Sequence, residues 1–174
     1  MTWSTVHRRG DVLHAVTQAA DERRDGVLPM DVTGVHETFG DELTLLAALQ
    51  LRWHTRLSGH IERALLDHPS DLEEAVTEAW HAAADELPGT RLVLDHYRAE
   101  PLDEGMAAAT ATSVAKERVL MAAMAGRAGE RTEDTVATGR ALEERARARY
   151  HWPPAPAGRR APGFLQRIRG HGAA

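Results

Sequence analysis

Apolar residues recur along most of the chain at the three- and four-residue spacing that is typical of α-helices. No stretch alternates apolar with polar residues over several positions, and aromatic residues make up only 5% of the sequence, so signals for β-strands are nearly absent. Glycine, proline and capping residues separate the apolar segments. The pattern predicts helices over residues 11–24, 41–66, 70–88, 90–98, 101–126 and 133–150, with a short turn of helix near 33–38.

These segments predict an all-α protein, a single and mostly antiparallel bundle of five or six helices. The connections between the segments are short, so helices that follow one another in sequence are expected to be neighbours in space. We expect a flexible N-terminus over residues 1–10 and the helical-bundle domain over residues 11–150. Beyond Tyr150 the composition changes to proline, alanine, glycine and arginine, which predicts a disordered C-terminal tail over residues 151–174.

One helix start has a recognisable signature. Ser70 and Glu73 have the spacing of a capping box, in which the serine hydroxyl and the glutamate carboxylate satisfy free backbone amides at the first turn. The sequence therefore predicts that Ser70 caps the helix that extends to Pro88.

Two polar residues fall within the apolar arc of the longest predicted helix, residues 41–66. On a helical wheel with about 100° per residue, Gln50 and His54 lie one turn apart in the middle of that arc. The apolar members of the arc are Leu43, Leu46, Ala47, Leu57, Ile61, Ala64 and Leu65.

Glu117 occupies the same kind of position in the helix predicted over residues 101–126. A buried glutamate without a partner would cost several kcal/mol or take up a proton, so a donor is expected to face it, and His54 is the simplest candidate. The apolar and small residues around Glu117 on this arc are Met106, Ala109, Thr110, Ser113, Leu120, Met121 and Met124.

Gln50, His54 and Glu117 allow two interpretations. They could line a pocket for a small ligand or hold a metal ion, with His54 and Glu117 as its ligands. They could instead form a satisfied buried pair that fixes the helix register, or lie on an arc that faces solvent because no helix covers it.

Glu78 and His81 have the Glu-x-x-His spacing with which ferritin-like bundles hold two metal ions. On their helix, however, both residues fall opposite the apolar arc, where side chains are expected to be solvated. The sequence also lacks a second copy of the motif. A dinuclear site of this kind within one chain is therefore not predicted, although a metal position between two subunits, with symmetry supplying the second set of ligands, stays open. No other cofactor is expected apart from the metal alternative at His54 and Glu117.

Composition and charge exclude several classes of protein. The sequence has no cysteine, which excludes disulfides and thiolate metal sites. The net charge is −5, with an acidic body before position 151 and four arginines after it, and an acidic body argues against binding to nucleic acid. No apolar run approaches the roughly 20 residues that cross a bilayer, and the N-terminus lacks the pattern of a signal peptide, so we expect a cytoplasmic protein.

Two segments are candidate surfaces for a protein partner or for self-association. Leu45 and Leu49 lie away from the main apolar arc of their helix, so this half-helix is either central in the bundle or covered by a second subunit. The tail ends in a short segment that combines three apolar residues with cations, too few for strong membrane binding. Its partner-binding candidates are Phe164, Leu165, Arg167, Ile168 and Arg169.

The sequence contains no phosphate-binding glycine loop, zinc-protease motif or nucleophile elbow. We therefore expect a non-enzymatic interaction or scaffold protein whose tethered basic tail contacts a partner. The protein could be a homodimer. The alternative is a bundle that binds a small ligand or metal at Gln50, His54 and Glu117.

Overall fold

A computed structural model describes the backbone of residues 3–153 and the side chains of residues 8–153. This part of the chain confirms the predicted all-α class and forms one bundle, with seven helices rather than five or six. The helices are α1 (Trp3–Arg23), α2 (Val35–Phe39), α3 (Glu42–Asp67), α4 (Leu72–Glu86), α5 (Pro88–Ala99), α6 (Glu104–Met124) and α7 (Thr132–Arg149). None of the described helices is both long enough and apolar enough to cross a membrane.

Aspartates cap three of the helices. The Oδ1 atoms of Asp41, Asp71 and Asp103 accept hydrogen bonds from the backbone amides at the first turns of α3, α4 and α6, at 2.7, 3.0 and 2.7 Å. The predicted capping box at Ser70 is therefore wrong, because α4 begins one residue later. Glu73 does not reach back to the cap and instead forms ion pairs with arginines of neighbouring segments.

Helix α1 begins at Trp3, well before the predicted start at Asp11, so the segment predicted as a flexible N-terminus is helical from Trp3. A tertiary contact explains the difference. The guanidinium of Arg9 stacks 4.5 Å from the ring centre of Phe39 in α2, and its Nη1 donates to the Thr38 carbonyl at 3.2 Å. The contact with α2 supports turns for which the local sequence offers no cap.

The core is built around two tryptophans. Trp53 of α3 and Trp80 of α4 meet edge to face at 5.8 Å, and Tyr150 packs on the other side of Trp80 at 5.6 Å. Leu45 and Leu49 are completely buried within this single chain, so they are central in the bundle and not available to a second subunit. Other helices cover them, while α7 packs on α4 and α6.

Glycines allow two helix pairs to approach closely. A Cβ added at Gly89 in α5 would lie 2.1 Å from the backbone of Ala20 in α1, and one added at Gly139 in α7 would lie 2.0 Å from the Arg118 carbonyl in α6. The absence of a side chain at these positions sets the separation of α1 from α5 and of α6 from α7.

Candidate functional site

The buried stripe of α3 is rotated from the predicted arc. It follows the large residues of the helix, Leu45, Leu49 and Trp53, and continues through Leu57 and Ile61. The predicted arc gave alanines the same weight as leucine and tryptophan, although burying a larger side chain removes more apolar area from water. Gln50 and His54 consequently lie at the edge of the stripe and are half-buried.

Gln50 and Glu117 meet between α3 and α6. Glu117 is only 3% exposed, and the Nε2 of Gln50 donates to its Oε2 at 3.4 Å. His54 is not hydrogen-bonded to Glu117. It lines a cavity of about 200 Å³ next to Gln50, together with Ala47, Leu51, Ser113 and Lys116.

The cationic partner of Glu117 is Arg91, a residue of α5 that the sequence analysis missed. Arg91 is 1% exposed, its Nη1 lies 3.6 Å from Oε1 of Glu117, and its guanidinium stacks 4.7 Å from the ring centre of Trp53. The ion pair and the aromatic face together offset the cost of burying the guanidinium. A donor was expected opposite Glu117: the hydrogen-bond donor is Gln50 and the facing cation is Arg91, and neither is His54.

Asp95 links Arg91 to the last helix. It accepts from Nε and Nη2 of Arg91 at 3.1 and 2.7 Å and from both terminal nitrogens of Arg147 at 2.8 and 2.7 Å. Burial alone would raise the pKa of Asp95, but the two guanidinium groups outweigh that effect and lower it. Asp95 therefore remains ionised and joins α5 to α7.

Glu143 is the second carboxylate of this network and contacts three arginines. Its Oε1 accepts from Arg98 at 2.6 Å and from Arg147 at 2.9 Å, and its Oε2 accepts from Arg118 at 2.9 Å. Burial works to raise the pKa of Glu143, but the surrounding guanidinium groups lower it to about 2. Alternating charges therefore extend without a gap from Glu117 to Arg118 through the interior of the bundle.

The sequence contains one feature of this network, the four-residue spacing of opposite charges. Arg91 and Asp95, and likewise Glu143 and Arg147, are four residues apart and so lie on the same face of their helix. Such pairs are common on solvated faces, and α7 has charges on all sides, so the spacing does not reveal that these particular pairs face inward.

An open groove runs between α3 and α6 above Gln50. Cavities along it pair Leu43 with Ala109 near one end and His54 with Lys116 near the other, so the two helices run in the same direction. Its α3 wall carries two accessible apolar residues beside the polar Gln50 and His54: Leu43 is 36% exposed and Leu51 is 67% exposed. Both helices begin at the Leu43 end, where the exposed acidic residues are Asp41, Glu42, Asp103 and Glu104.

The Glu-x-x-His pair of α4 does not assemble a metal site. Glu78 is exposed, and its carboxylate lies 3.1 Å from Nε2 of His68, as befits a residue on the polar side of the helix. The expectation of a solvated His81 is wrong, because α7 covers it: His81 lies beside the Tyr150 ring and its Nε2 donates to the Ala146 carbonyl at 2.8 Å. No group of three or more potential metal ligands occurs in the described part of the chain.

The tail candidates Phe164, Leu165, Arg167, Ile168 and Arg169 lie outside the described residues. Comparison of the chain with protein-family models, with curated proteins and with solved structures finds no match. The functional argument therefore rests on the geometry of the groove and of the charged network.

Proposed function

We propose that this chain is a non-enzymatic, cytoplasmic interaction protein that holds a basic and apolar peptide segment in the α3–α6 groove, and that the occupant is its own tail segment, Phe164–Arg169. The observation that carries the proposal is the combination of two accessible apolar residues on the groove wall, Leu43 and Leu51, with an acidic end. An apolar strip bordered by charge is typical of a surface that binds a partner.

The size of the cavity beside Gln50 favours a side chain over a free ligand. Its volume of about 200 Å³ is below the roughly 300–1,000 Å³ of sites that enclose drug-sized molecules. A single aromatic side chain anchored there would extend the apolar contact with Leu51. Phe164 is the one aromatic residue of the tail segment.

A metal ion suits this position less well than a side chain does. Glu117 already faces the guanidinium of Arg91, whose Nη1 is 3.6 Å from Oε1. A second cation at Glu117 would be repelled by that buried positive charge.

The charge pattern of the groove matches the order of residues in the tail segment. With Phe164 beside Gln50, the segment leads Arg167 and Arg169 toward the acidic end of the groove. Gln50 lies about 14 Å along α3 from Asp41, and five residues of extended chain cover about 17 Å. The apolar anchor and the cations can therefore engage both ends at once.

The chain between the bundle and the tail segment can span a distance close to the length of α3. The Pro153 carbonyl accepts a hydrogen bond from Nη1 of Arg24 at 3.1 Å, which fixes the point at which the tail leaves the bundle. Eleven further residues lead to Phe164 and span up to about 36 Å when extended. This span is close to the full length of α3, about 39 Å for its 26 residues.

Amide NMR spectra of the full-length chain test the proposal. We expect a variant with Phe164→Ser and Ile168→Ser to shift the amides of groove residues such as Ala47, Leu51 and Ser113. His171→Ser serves as the control, because it alters the tail beyond the segment. If the double variant shifts groove amides no more than the control does, the segment does not occupy the groove.

A charge placed on the groove wall provides a second test. Leu51→Asp should produce the same groove shifts as loss of the tail segment, whereas Leu66→Asp should not. Leu66 belongs to the same helix and is 83% exposed, but it lies outside the groove. Light scattering over a range of concentrations shows whether the occupant comes from the same chain or from a second copy.

A further inference from the structure

A different cavity, of about 380 Å³, lies between the end of α5 and the facing sides of α6 and α7. Arg98, Arg118 and Arg140 line it, and none of its described lining residues is acidic. The chain as a whole carries a net charge of −5, so this cavity concentrates positive charge on an acidic molecule. A molecule that binds in this cavity should therefore be anionic.

Glu143 holds two of these arginines in place from behind. It is 2% exposed and accepts from Arg98 at 2.6 Å and from Arg118 at 2.9 Å. The backbone of Arg118 is fixed as well, because Gly139 of α7 packs directly against it. The cationic side of the cavity is thus held by two packed helices and a buried carboxylate.

Most donors of the two guanidinium groups remain unused by the protein. Each guanidinium carries five N–H groups. Across the described residues, Arg98 donates only through Nη1 and Arg118 only through Nε, in both cases to Glu143. Arg118 is itself buried, so its free donors lie where a hydrogen bond to an anion is worth more than in open water.

Arg140 adds a third guanidinium that has no carboxylate partner. It lies on α7, one turn before Glu143, and forms no ion pair with any described residue. Arg98 and Arg118 share the Glu143 carboxylate with Arg147, while Arg140 pairs with no carboxylate of the described residues, so positive charge is in excess at the cavity.

The cavity also has an apolar part, one helical turn away from Arg118 and Arg140 on the same faces of α6 and α7. Val114 of α6 and Val136 of α7 form it, with the small side chains of Ala107 and Ala111 beside them. Thr110 also belongs to the lining. Such a site suits a molecule with a charged head and a short apolar body.

We propose that this α5–α6–α7 cavity binds a small organic anion whose head group carries two negative charges, with a phosphate monoester on an apolar body as the best match. The head group would accept hydrogen bonds from Arg118 and Arg98 and pair with Arg140, since the planar guanidinium suits bidentate binding of phosphate. The body would pack on Val114 and Val136. This site is separate from the α3–α6 groove and does not depend on it.

A neighbouring cavity is less suitable for an anion than the α5–α6–α7 cavity. It measures about 410 Å³ and shares Arg98 and Arg118, but Asp95, Glu143 and Glu144 also line it. Carboxylates there would repel an anionic ligand. The described lining of the α5–α6–α7 cavity contains no carboxylate.

Titration calorimetry of the full-length chain with phenyl phosphate tests the site. We expect saturable one-to-one binding with a Kd of about 1 mM or tighter at low ionic strength, weakening as salt is added. Inorganic phosphate should bind more weakly because it lacks the apolar body, and benzyl alcohol should not bind because it lacks the charge. Absence of saturable binding up to about 10 mM phenyl phosphate would overturn the proposal.

Two matched pairs of variants locate the binding. Arg140→Gln should weaken phenyl phosphate about tenfold, and Arg131→Gln, which removes an exposed arginine just before α7, should leave it unchanged. Ala111→Glu places a carboxylate in the cavity and should abolish binding, while Ala108→Glu changes an exposed alanine of the same helix outside the lining. Equal losses within either pair would mean that the overall charge, and not this cavity, attracts the anion.

Discussion

At the scale of single residues, Gly139 allows α7 to approach α6 closely. Adding a methyl group there would place it 2.0 Å from the Arg118 carbonyl, so α6 and α7 would have to separate. We expect Gly139→Ala to lower the free energy of unfolding by about 3 kcal/mol, at the upper end of the cost of overpacking. Urea denaturation measures this value.

Gly59→Ala is the matched control for that substitution. Gly59 lies inside α3, and a Cβ there would meet nothing within 4 Å. Since alanine is the better helix former, this variant should gain about 0.5–1 kcal/mol. Equal effects of the two substitutions would show that α6 and α7 are not packed as described.

Glu143 links the charged network to pH. Its pKa falls from 4.5 when unfolded to about 2 in the fold, so it contributes about 3 kcal/mol of stability above its unfolded pKa and loses that contribution as the pH falls toward 2. We expect Glu143→Gln to be less stable than the native chain at pH 7 and the difference to shrink as the pH approaches 2.

Thermal or urea unfolding between pH 2 and 7 measures this difference. Glu144→Gln removes the adjacent, exposed carboxylate and should have little effect at any pH. A difference between the native chain and Glu143→Gln that is as large at pH 2 as at pH 7 would contradict the role assigned to the Glu143 carboxylate.

Individual residues could be predicted where a single helix determines their setting. The inward position of Glu117 follows from the pitch of its own helix, and so does the need for a donor opposite it. The identity of the facing cation does not, because Arg91 lies on α5 and reaches Glu117 only through the packing of three helices. The same limit explains why Arg98, Arg118 and Arg140 do not stand out as a group in the sequence.

At the scale of elements, the helices follow from local signals, but their buried faces do not. Apart from the start of α1, the predicted segments match the helices closely, because the caps and the breaks at proline and glycine act within a few residues. Which side of α3 is buried depends on what packs against it, and α7 owes its position to charges that face inward. Hydrophobic periodicity alone therefore predicts neither the buried side of α3 nor the position of α7.

Helix α1 offers a test of this distinction. Gly10 lies inside the helix, and a Cβ there would meet nothing within 4 Å. If α1 begins at Trp3, we expect Gly10→Ala to raise the free energy of unfolding by about 0.5–1 kcal/mol and to increase the helical signal in circular dichroism. No gain in either quantity would favour a helix that begins near Asp11.

At the scale of the whole molecule, α6 contributes to both candidate binding sites. Its Ser113 faces the α3–α6 groove, and its Arg118 faces the α5–α6–α7 cavity. The alternating charges from Glu117 to Glu143 lie between the two sites and fix α5, α6 and α7 relative to one another. A rigid bundle of this kind can hold its tail segment in the groove and an anion in the cavity without changing shape.

The most direct test of the proposed function is the position of the tail segment in the intact protein. Since the sequence contains no cysteine, Gln166→Cys introduces a unique site for a nitroxide label. We expect the label to broaden the amide signals of Ala47, Leu51 and Ser113 and to leave that of Leu66, about 28 Å along α3 from Ala47, unaffected. Broadening that is no stronger in the groove than at Leu66 would contradict the proposal that the tail segment occupies the groove. Broadening that persists unchanged in the Leu51→Asp variant would contradict it as well.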